Sequence, residues 1–182
     1  MRKLKLQMQL SIDGFVSGPN GEMDWMTWNW DDELKAYVQS LTDSVDCILL
    51  GRKLAEGFIP HWASNPEMDG AEKFNITPKI VFTKTLDTHA WANTRLAKGD
   101  LKEVINQLKL QEGKEMIVYG GVEYVSALLQ YRLIDDLYLF INPVVLGEGK
   151  TIFAGHTMKQ DYTLIGSHAF ACGIVVLHYR PK

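Results

Sequence analysis

Cysteine is scarce in this chain: there are two in 182 residues, Cys47 and Cys172, set among apolar neighbours in VDCILL and FACGIVVL. Two such thiols make no disulfide framework and read as small reduced side chains buried in strands. Long apolar runs are missing too, and none approaches the roughly 18 residues of a spanning helix. Basic excess is absent: 19 Lys and Arg against 22 Asp and Glu leave a formal charge of −3. That balance offers no general attraction to a phosphodiester backbone or an anionic lipid surface, so neither nucleic acid nor membrane is expected as a partner. The opening residues MRKLKLQMQL hold no continuous h-region or small-residue cleavage site, and the expected location is the cytoplasm. Metal-ligand spacings of the H-E-x-x-H or paired C-x-x-C kind do not occur, nor does the zinc-deaminase motif H-x-E with P-C-x-x-C, and no metal is expected. A G-x-G-x-x-G fingerprint is also lacking, which argues against a Rossmann dehydrogenase. Gly147-Glu148-Gly149-Lys150-Thr151 approaches a Walker A ending, but the glycine required at position 144 is Val144.

What is present is a chain 46% hydrophobic, long enough for one core, and one domain over residues 1–182 is the expectation. Leu4, Leu6, Met8, Leu10 and Ile12 alternate with Lys5, Gln7, Gln9 and Ser11, the period of a strand with one apolar face. Asp13-Gly14 ends it, and SGPNGEM (17–23) supplies a turn-rich loop. From Asp31 the period becomes helical, with Leu34, Val38 and Leu41 on one face and acidic residues at the positive end of the macrodipole. VDCILL (45–50), KIVFT (79–83) and EMIVY (115–119) read as short buried strands. Asp100 and Glu103 resemble a capping box ahead of Leu101, Val104, Ile105 and Leu108, and a second helix follows Gly120-Gly121. DLYLFI (136–141) is apolar on both faces, as a central strand is, and residues 162–170 and 173–179 form a closing hairpin. The expected fold is a three-layer αβα arrangement of the α/β class, with a mostly parallel sheet and a C-terminal antiparallel hairpin.

Three junctions offer amides or cations at the carboxyl ends of strands, where open α/β sheets bind ligands. Tyr119-Gly120-Gly121-Val122 lets backbone approach a pyrophosphate ahead of a helix N-terminus, although tight helix packing explains such glycines equally well. Gly51-Arg52-Lys53 puts two cations where they oppose the helix dipole, which an anionic ligand would reconcile and a solvated surface pair would also produce. Thr83-Lys84-Thr85 places a cation between two hydroxyls, suited to a 2′-phosphate or to an ordinary polar turn. Trp25, Trp28, Trp30, Phe58 and Trp62 crowd the region. Of these, Phe58 and Trp62, flanking Pro60-His61, suit the wall of a flat-ligand pocket, while core packing is the plainer reading of each.

Taken in order, SIDGFVSGPNGEMDW, ILLGRKLAEGF, KIVFTKTL and VYGGVEYVSALLQYRLIDDLYLFINPVVLGEGKTIF resemble the dihydrofolate-reductase-like superfamily. The resemblance is greatest to the reductase domain of the bifunctional riboflavin-biosynthesis deaminase/reductase and its stand-alone relatives. It covers nearly the whole chain, and the last block carries its most specific part. It implies an NADPH-dependent reductase in which Gly51, Arg52 and Lys53 meet phosphates, Thr83 and Lys84 lie near the 2′-phosphate, and Tyr119 to Val122 cradle the pyrophosphate. Gly14, Phe15 and Val16 would border the nicotinamide, and Trp25, Phe58, His61 and Trp62 the substrate.

Asp13, in the turn shared with those relatives, becomes the candidate to orient substrate or relay a proton; its alternative is an Asx-turn residue at the strand end. The implied substrate is a small heterocyclic or sugar-derived molecule such as a ribosylaminopyrimidine, and the implied assembly a homodimer, to which the 147–151 loop contributes. Two departures stand out. Leu54 replaces the threonine that follows the Gly-Arg-Lys turn in many relatives, and counting back from Gly51 puts Lys35 where classical dihydrofolate reductases have an acid. A pterin nitrogen needs protonation as hydride arrives, so dihydrofolate reduction is the enzymatic alternative, and a non-catalytic nucleotide-binding dimer the alternative of another class.

Overall fold

The computed structural model describes residues 1–182. The chain runs β1 (Leu4–Leu10), α1 (Asp32–Asp43), β2 (Val45–Gly51), α2 (Arg52–Ser64), α3 (Ala71–Ile76), β3 (Lys79–Phe82) and β4 (Thr94–Ala97). It continues through α4 (Leu101–Leu110), β5 (Glu115–Val118), α5 (Val122–Gln130), β6 (Asp136–Ile141), β7 (Tyr162–Ala169) and β8 (Val175–Pro181). The strands form one sheet in the order β4-β3-β2-β5-β1-β6-β8-β7. All neighbours through β6 are parallel, and β8 and β7 close the sheet antiparallel. The mostly parallel sheet and terminal hairpin expected from the sequence are both present. No helix is long and apolar enough to cross a membrane.

Alternation within the strands sorts the side chains into two layers. Leu6 and Met8 of β1, Leu49 of β2 and Val118 of β5 pack with Ile105 of α4 and Val125 and Leu128 of α5. On the other face, Ile48 and Leu50 of β2 and Ile117 of β5 meet Ala55 and Ile59 of α2 and Phe74 of α3. Phe140 of β6 and Val176 of β8 meet Leu34 and Leu41 of α1. Parallel strands covered on both faces need apolar side chains on both, which is why residues 47–50 (CILL) form an unbroken apolar run.

Local capping follows the sequence. Asp31 accepts from Leu34 N at 2.8 Å to start α1, and Asp100 accepts from Glu103 N at 3.0 Å to start α4. Only this half of the expected reciprocal box forms.

Three expectations are corrected. The polar row of β1 is not a solvent face: Lys5, Gln7 and Ser11 are buried, because β1 lies between β5 and β6 with α1 across that face. Ile12 falls outside the strand and is exposed. Cys172 is only half-buried, on the β7–β8 turn, whereas Cys47 is buried in β2. The helix begun at Arg52 runs on through Gly57 and Pro60 to Ser64, and β4 and α3 are additional to the elements read from pattern.

Candidate active site

The connections from β2 and β5 leave in opposite directions. β2 is followed by α2 and α3 and leads to β3, whereas β5 is followed by α5 and leads across β1 to β6. Because β2 and β5 are hydrogen-bonded neighbours, their carboxyl ends form a topological switch point, the place where open α/β sheets hold ligands. Both following helices start on glycine. Gly51 caps α2 and Gly121 caps α5, neither with a side-chain hydrogen bond, and α2 has no acidic residue in its first turn. The unpaired N–H groups of two helix N-termini are thereby left for an anion.

Glycine is required by closeness at one position and by conformation at the other. A Cβ on Gly51 would lie 2.9 Å from Tyr124 Cβ, whereas Gly121 has a φ of +89°, which side-chain-bearing residues rarely adopt. A cleft of about 1480 Å³ opens over these ends. It extends from Thr83, Lys84 and Gly99 beyond β3 and β4, past the glycines, to Gln7, Gln9, Trp28 and Trp30 around β1 and α1.

Most of the residues singled out by sequence line this cleft: Val16, Gly51, Arg52, Lys53, Thr83, Lys84, and the run Tyr119 to Val122, with Phe58, His61 and Trp62. Their surroundings differ. Arg52 pairs with Glu56 at 2.7 Å and Lys53 with Glu123 at 3.0 Å, both exposed contacts of small energetic worth. Lys84 has no carboxylate partner. The Thr83 hydroxyl oxygen accepts from Leu86 N at 2.9 Å and Thr85 N at 3.2 Å, which folds the backbone around Lys84. Phe58 packs edge-on to Phe74 at 5.1 Å and to Trp62 at 5.9 Å, so both aromatics are wall and core at once. His61 is exposed and packs edge-on against Trp62.

Asp13, Gly14, Phe15 and Trp25 lie off the cleft lining. The Asp13 carboxylate accepts from Ser11 Oγ at 2.6 Å, Gly147 N at 2.8 Å and Leu146 N at 3.2 Å. The Ser11 hydroxyl first, then these backbone groups, hold it below the usual carboxylate range. Asp13 thus ties the loop after β1 to the loop after β6, which are also joined through Val16 N to Lys150 O at 2.8 Å and Lys150 N to Ser17 O at 2.9 Å. Trp25 Nε1 donates to Glu22 O within its own loop.

The cleft also contains residues the sequence reading passed over. From α1 it takes Val38 and Thr42. Neither is acidic, and Lys35, the position reached by counting, is turned to an ion pair with Asp69 at 3.0 Å. From β1 it takes Gln7 and Gln9. Their only signal was the polar row of β1, whose burial follows from the position of that strand between β5 and β6.

Comparison with known proteins agrees with this architecture. The model of the RibD C-terminal domain matches residues 2–176, and the chain belongs to that family. It is 28% identical over 186 residues to the uncharacterised protein YyaP of Bacillus subtilis (strain 168), covering 98% of this chain and 95% of YyaP. It is 24% identical over 176 residues to the riboflavin biosynthesis protein RibD of Corynebacterium ammoniagenes, covering 90% of this chain but 49% of that protein. The chain therefore spans about half the length of RibD and nearly all of YyaP.

Among solved structures, a Shewanella sp. PV-4 protein provisionally named for riboflavin biosynthesis superposes with a TM-score of 0.78 at 22% identity, covering 100% and 99% of the two chains. The deaminase/5-amino-6-(5-phosphoribosylamino)uracil reductase of Thermotoga maritima gives 0.73 at 16% identity, covering 100% of this chain and 57% of that one. The fold is the dihydrofolate-reductase-like fold of RibD reductase domains.

Proposed function

We propose that this protein is an NADPH-dependent reductase that passes hydride to a small planar or sugar-derived substrate, of the kind handled by the reductase domains it resembles. The carrying observation is the meeting of two uncapped helix N-termini at Gly51 and Gly121, at the switch point between β2 and β5. Residues present there fit a dinucleotide. Amides at the starts of α2 and α5 would hold the pyrophosphate, and the free cation Lys84, beside Thr83, would take the 2′-phosphate. Bound in this way, NADPH supplies the hydride. The chain's own residues supply position: Val16 and the paired loops border the centre of the cleft, and Asp13 acts by holding those loops in register. Arg52 can leave the exposed Glu56 for a phosphate at little cost.

Dihydrofolate is disfavoured as the substrate. The α1 positions facing the cleft are Val38 and Thr42, so no carboxylate stands there to assist protonation of a pterin ring. A homodimer formed along the edge strand β7, where Leu164 and Ile165 are exposed, and a cytoplasmic location belong to the same proposal.

Titration of the purified protein with NADPH and NADH, followed by tryptophan fluorescence, tests the reading. Saturable binding clearly tighter for NADPH is expected. Failure to bind either would mean that the fold serves another purpose. Tight NADPH binding without turnover over a carbonyl and pterin panel would favour a non-catalytic nucleotide-binding role. Light scattering tests the dimer.

A further inference from the structure

The cleft floor beneath α1 holds a polar group that nothing in the chain satisfies. Residues 5, 7, 9 and 11 of β1 and its extension project from the face opposite Leu6 and Met8. Lys5 Nζ donates to Leu41 O of α1 at 3.1 Å and pairs with Glu115 at 2.6 Å, which sets this row under α1. Next along it, Gln7 is 8% exposed and lines the cleft, yet its buried Oε1 has no hydrogen-bond partner. Buried polar atoms in native structures are nearly always paired, and an exception calls for an explanation.

Gln9, the next residue in the row, has its amide orientation fixed by a chain of contacts. Asn142 is fully buried. Its Oδ1 accepts from Thr27 N at 2.9 Å, and its Nδ2 faces Phe140 O at 3.2 Å. A backbone N–H only donates and a carbonyl only accepts, so Asn142 has one possible orientation. Its Nδ2 donates to Gln9 Oε1 at 2.8 Å, which leaves the Gln9 NH₂ turned away as a donor. Residues i and i+2 on one strand face stand about 7 Å apart. The floor therefore presents two uncharged amides side by side: Gln7, whose Oε1 is unmet and whose amide no partner in the chain holds, and Gln9, held with its donor unused. The carboxylates that line the cleft elsewhere are exposed and engaged: Asp69 with Lys35, Glu123 with Lys53, and Asp100 as the cap of α4.

We infer that Gln7, seconded by Gln9, is the specificity-determining floor for the second ligand of the cleft. That ligand is an uncharged planar heterocycle offering an N–H to Gln7 and a carbonyl to Gln9, a lactam edge, in preference to a cationic diamino heterocycle. The inference rests on the reductase reading only in placing a second ligand beside the cofactor.

The full chain saturated with NADPH is titrated calorimetrically with 6-aminouracil, which is neutral and carries a lactam edge, and with 2,4-diaminopyrimidine, which readily takes a proton. Wild type is expected to bind 6-aminouracil the more tightly. Gln7→Met keeps side-chain length and loses both polar atoms; it should weaken 6-aminouracil roughly 10- to 100-fold, bind NADPH unchanged, and melt no lower than wild type. Gln7→Glu should turn the preference toward 2,4-diaminopyrimidine. Equal affinity for 6-aminouracil in Gln7→Met, a wild type that prefers the diamino probe or takes neither, or a marked loss of heat stability in Gln7→Met overturns the inference. The reductase reading fails separately: no NADPH binding, with Gln7-dependent binding of 6-aminouracil in titrations without cofactor, rejects that reading and keeps the floor.

Discussion

At the N-terminal ends of the parallel strands the buried charges have partners, whereas at the carboxyl ends polar groups are left open. At the first end Arg2 meets Asp46, Lys109 meets Asp135 at 2.6 Å, and Lys5 meets Glu115. Asp136, 2% exposed, sits between Arg180 Nε at 2.5 Å and His178 Nε2 at 2.6 Å. At the other end two helices begin without caps, Lys84 has no counter-charge, and Tyr124, in the first turn of α5, keeps its buried hydroxyl unpaired, as Gln7 midway along β1 keeps its Oε1. An unmet buried group costs on the order of 1–3 kcal/mol. The molecule thus holds itself together at one end of its sheet and keeps its capacity to bind at the other, in the manner of sites that break local rules for function.

Asp136→Asn strikes hardest at the paired end. It leaves Arg180 and His178 without their carboxylate, and a loss of about 3 kcal/mol is expected in urea unfolding, with NADPH affinity of the folded protein unchanged. A loss of affinity would show that the two ends are coupled.

Gly121→Val acts at the other end. It should abolish NADPH binding, by roughly 100-fold or more, at a stability cost of about 1–3 kcal/mol for a branched residue at positive φ. Normal cofactor binding by that variant would put the phosphates elsewhere. Lys84→Ala should weaken NADPH about tenfold, a charge-assisted contact's worth, and leave NADH untouched. Arg52→Ala should weaken both cofactors a few-fold only, since Glu56 competes for the guanidinium. Equal effects of Lys84→Ala on the two cofactors would remove the 2′-phosphate assignment.

Acid sharpens the contrast. Burial raises the Asp136 carboxyl, but hydrogen bonds from Arg180 and His178 outweigh it and leave the group below its ordinary range. Glu115 follows the same pattern through Lys5 and Ser44. Groups lowered in the folded state contribute stability that is complete above their unfolded values near about 4, and that fades as pH falls through the folded ones. Urea midpoints are therefore expected to be level above about pH 5 and to fall below about pH 4. Hydrogen exchange should then open the strand starts first. A midpoint unchanged to about pH 3 would show that this end is not the stabilising one.

The sequence revealed the elements whose pattern follows from their own burial. β2, β5 and β6 are covered on both faces and read as apolar runs, and α1 and α4 carry both a stripe and a cap. It did not reveal β4, a four-residue edge strand (TRLA) that buries nothing fully, or the full extent of α2, in which Gly57 and Pro60 contradict helix propensity. In the site, glycines and cations at strand ends were legible because anion binding needs those residue types. The glutamines were not. Alternation reports which face of a strand is polar, and only the sheet order tells whether that face meets water. Asp13 illustrates the same limit: its position in the turn was plain, but the N–H groups it holds belong to residues more than a hundred positions away.

Asn142 also acts as a rivet. It fastens Thr27 to the floor from within the protein, while the Ser17–Lys150 bridge fastens the other side of the same loop. Any flap over the cleft is confined to the span between these fixings, from Gly18 to Met26. Trp28 and Trp30 stand outside that span, on the anchored side, and would remain in place as posts while the flap swings.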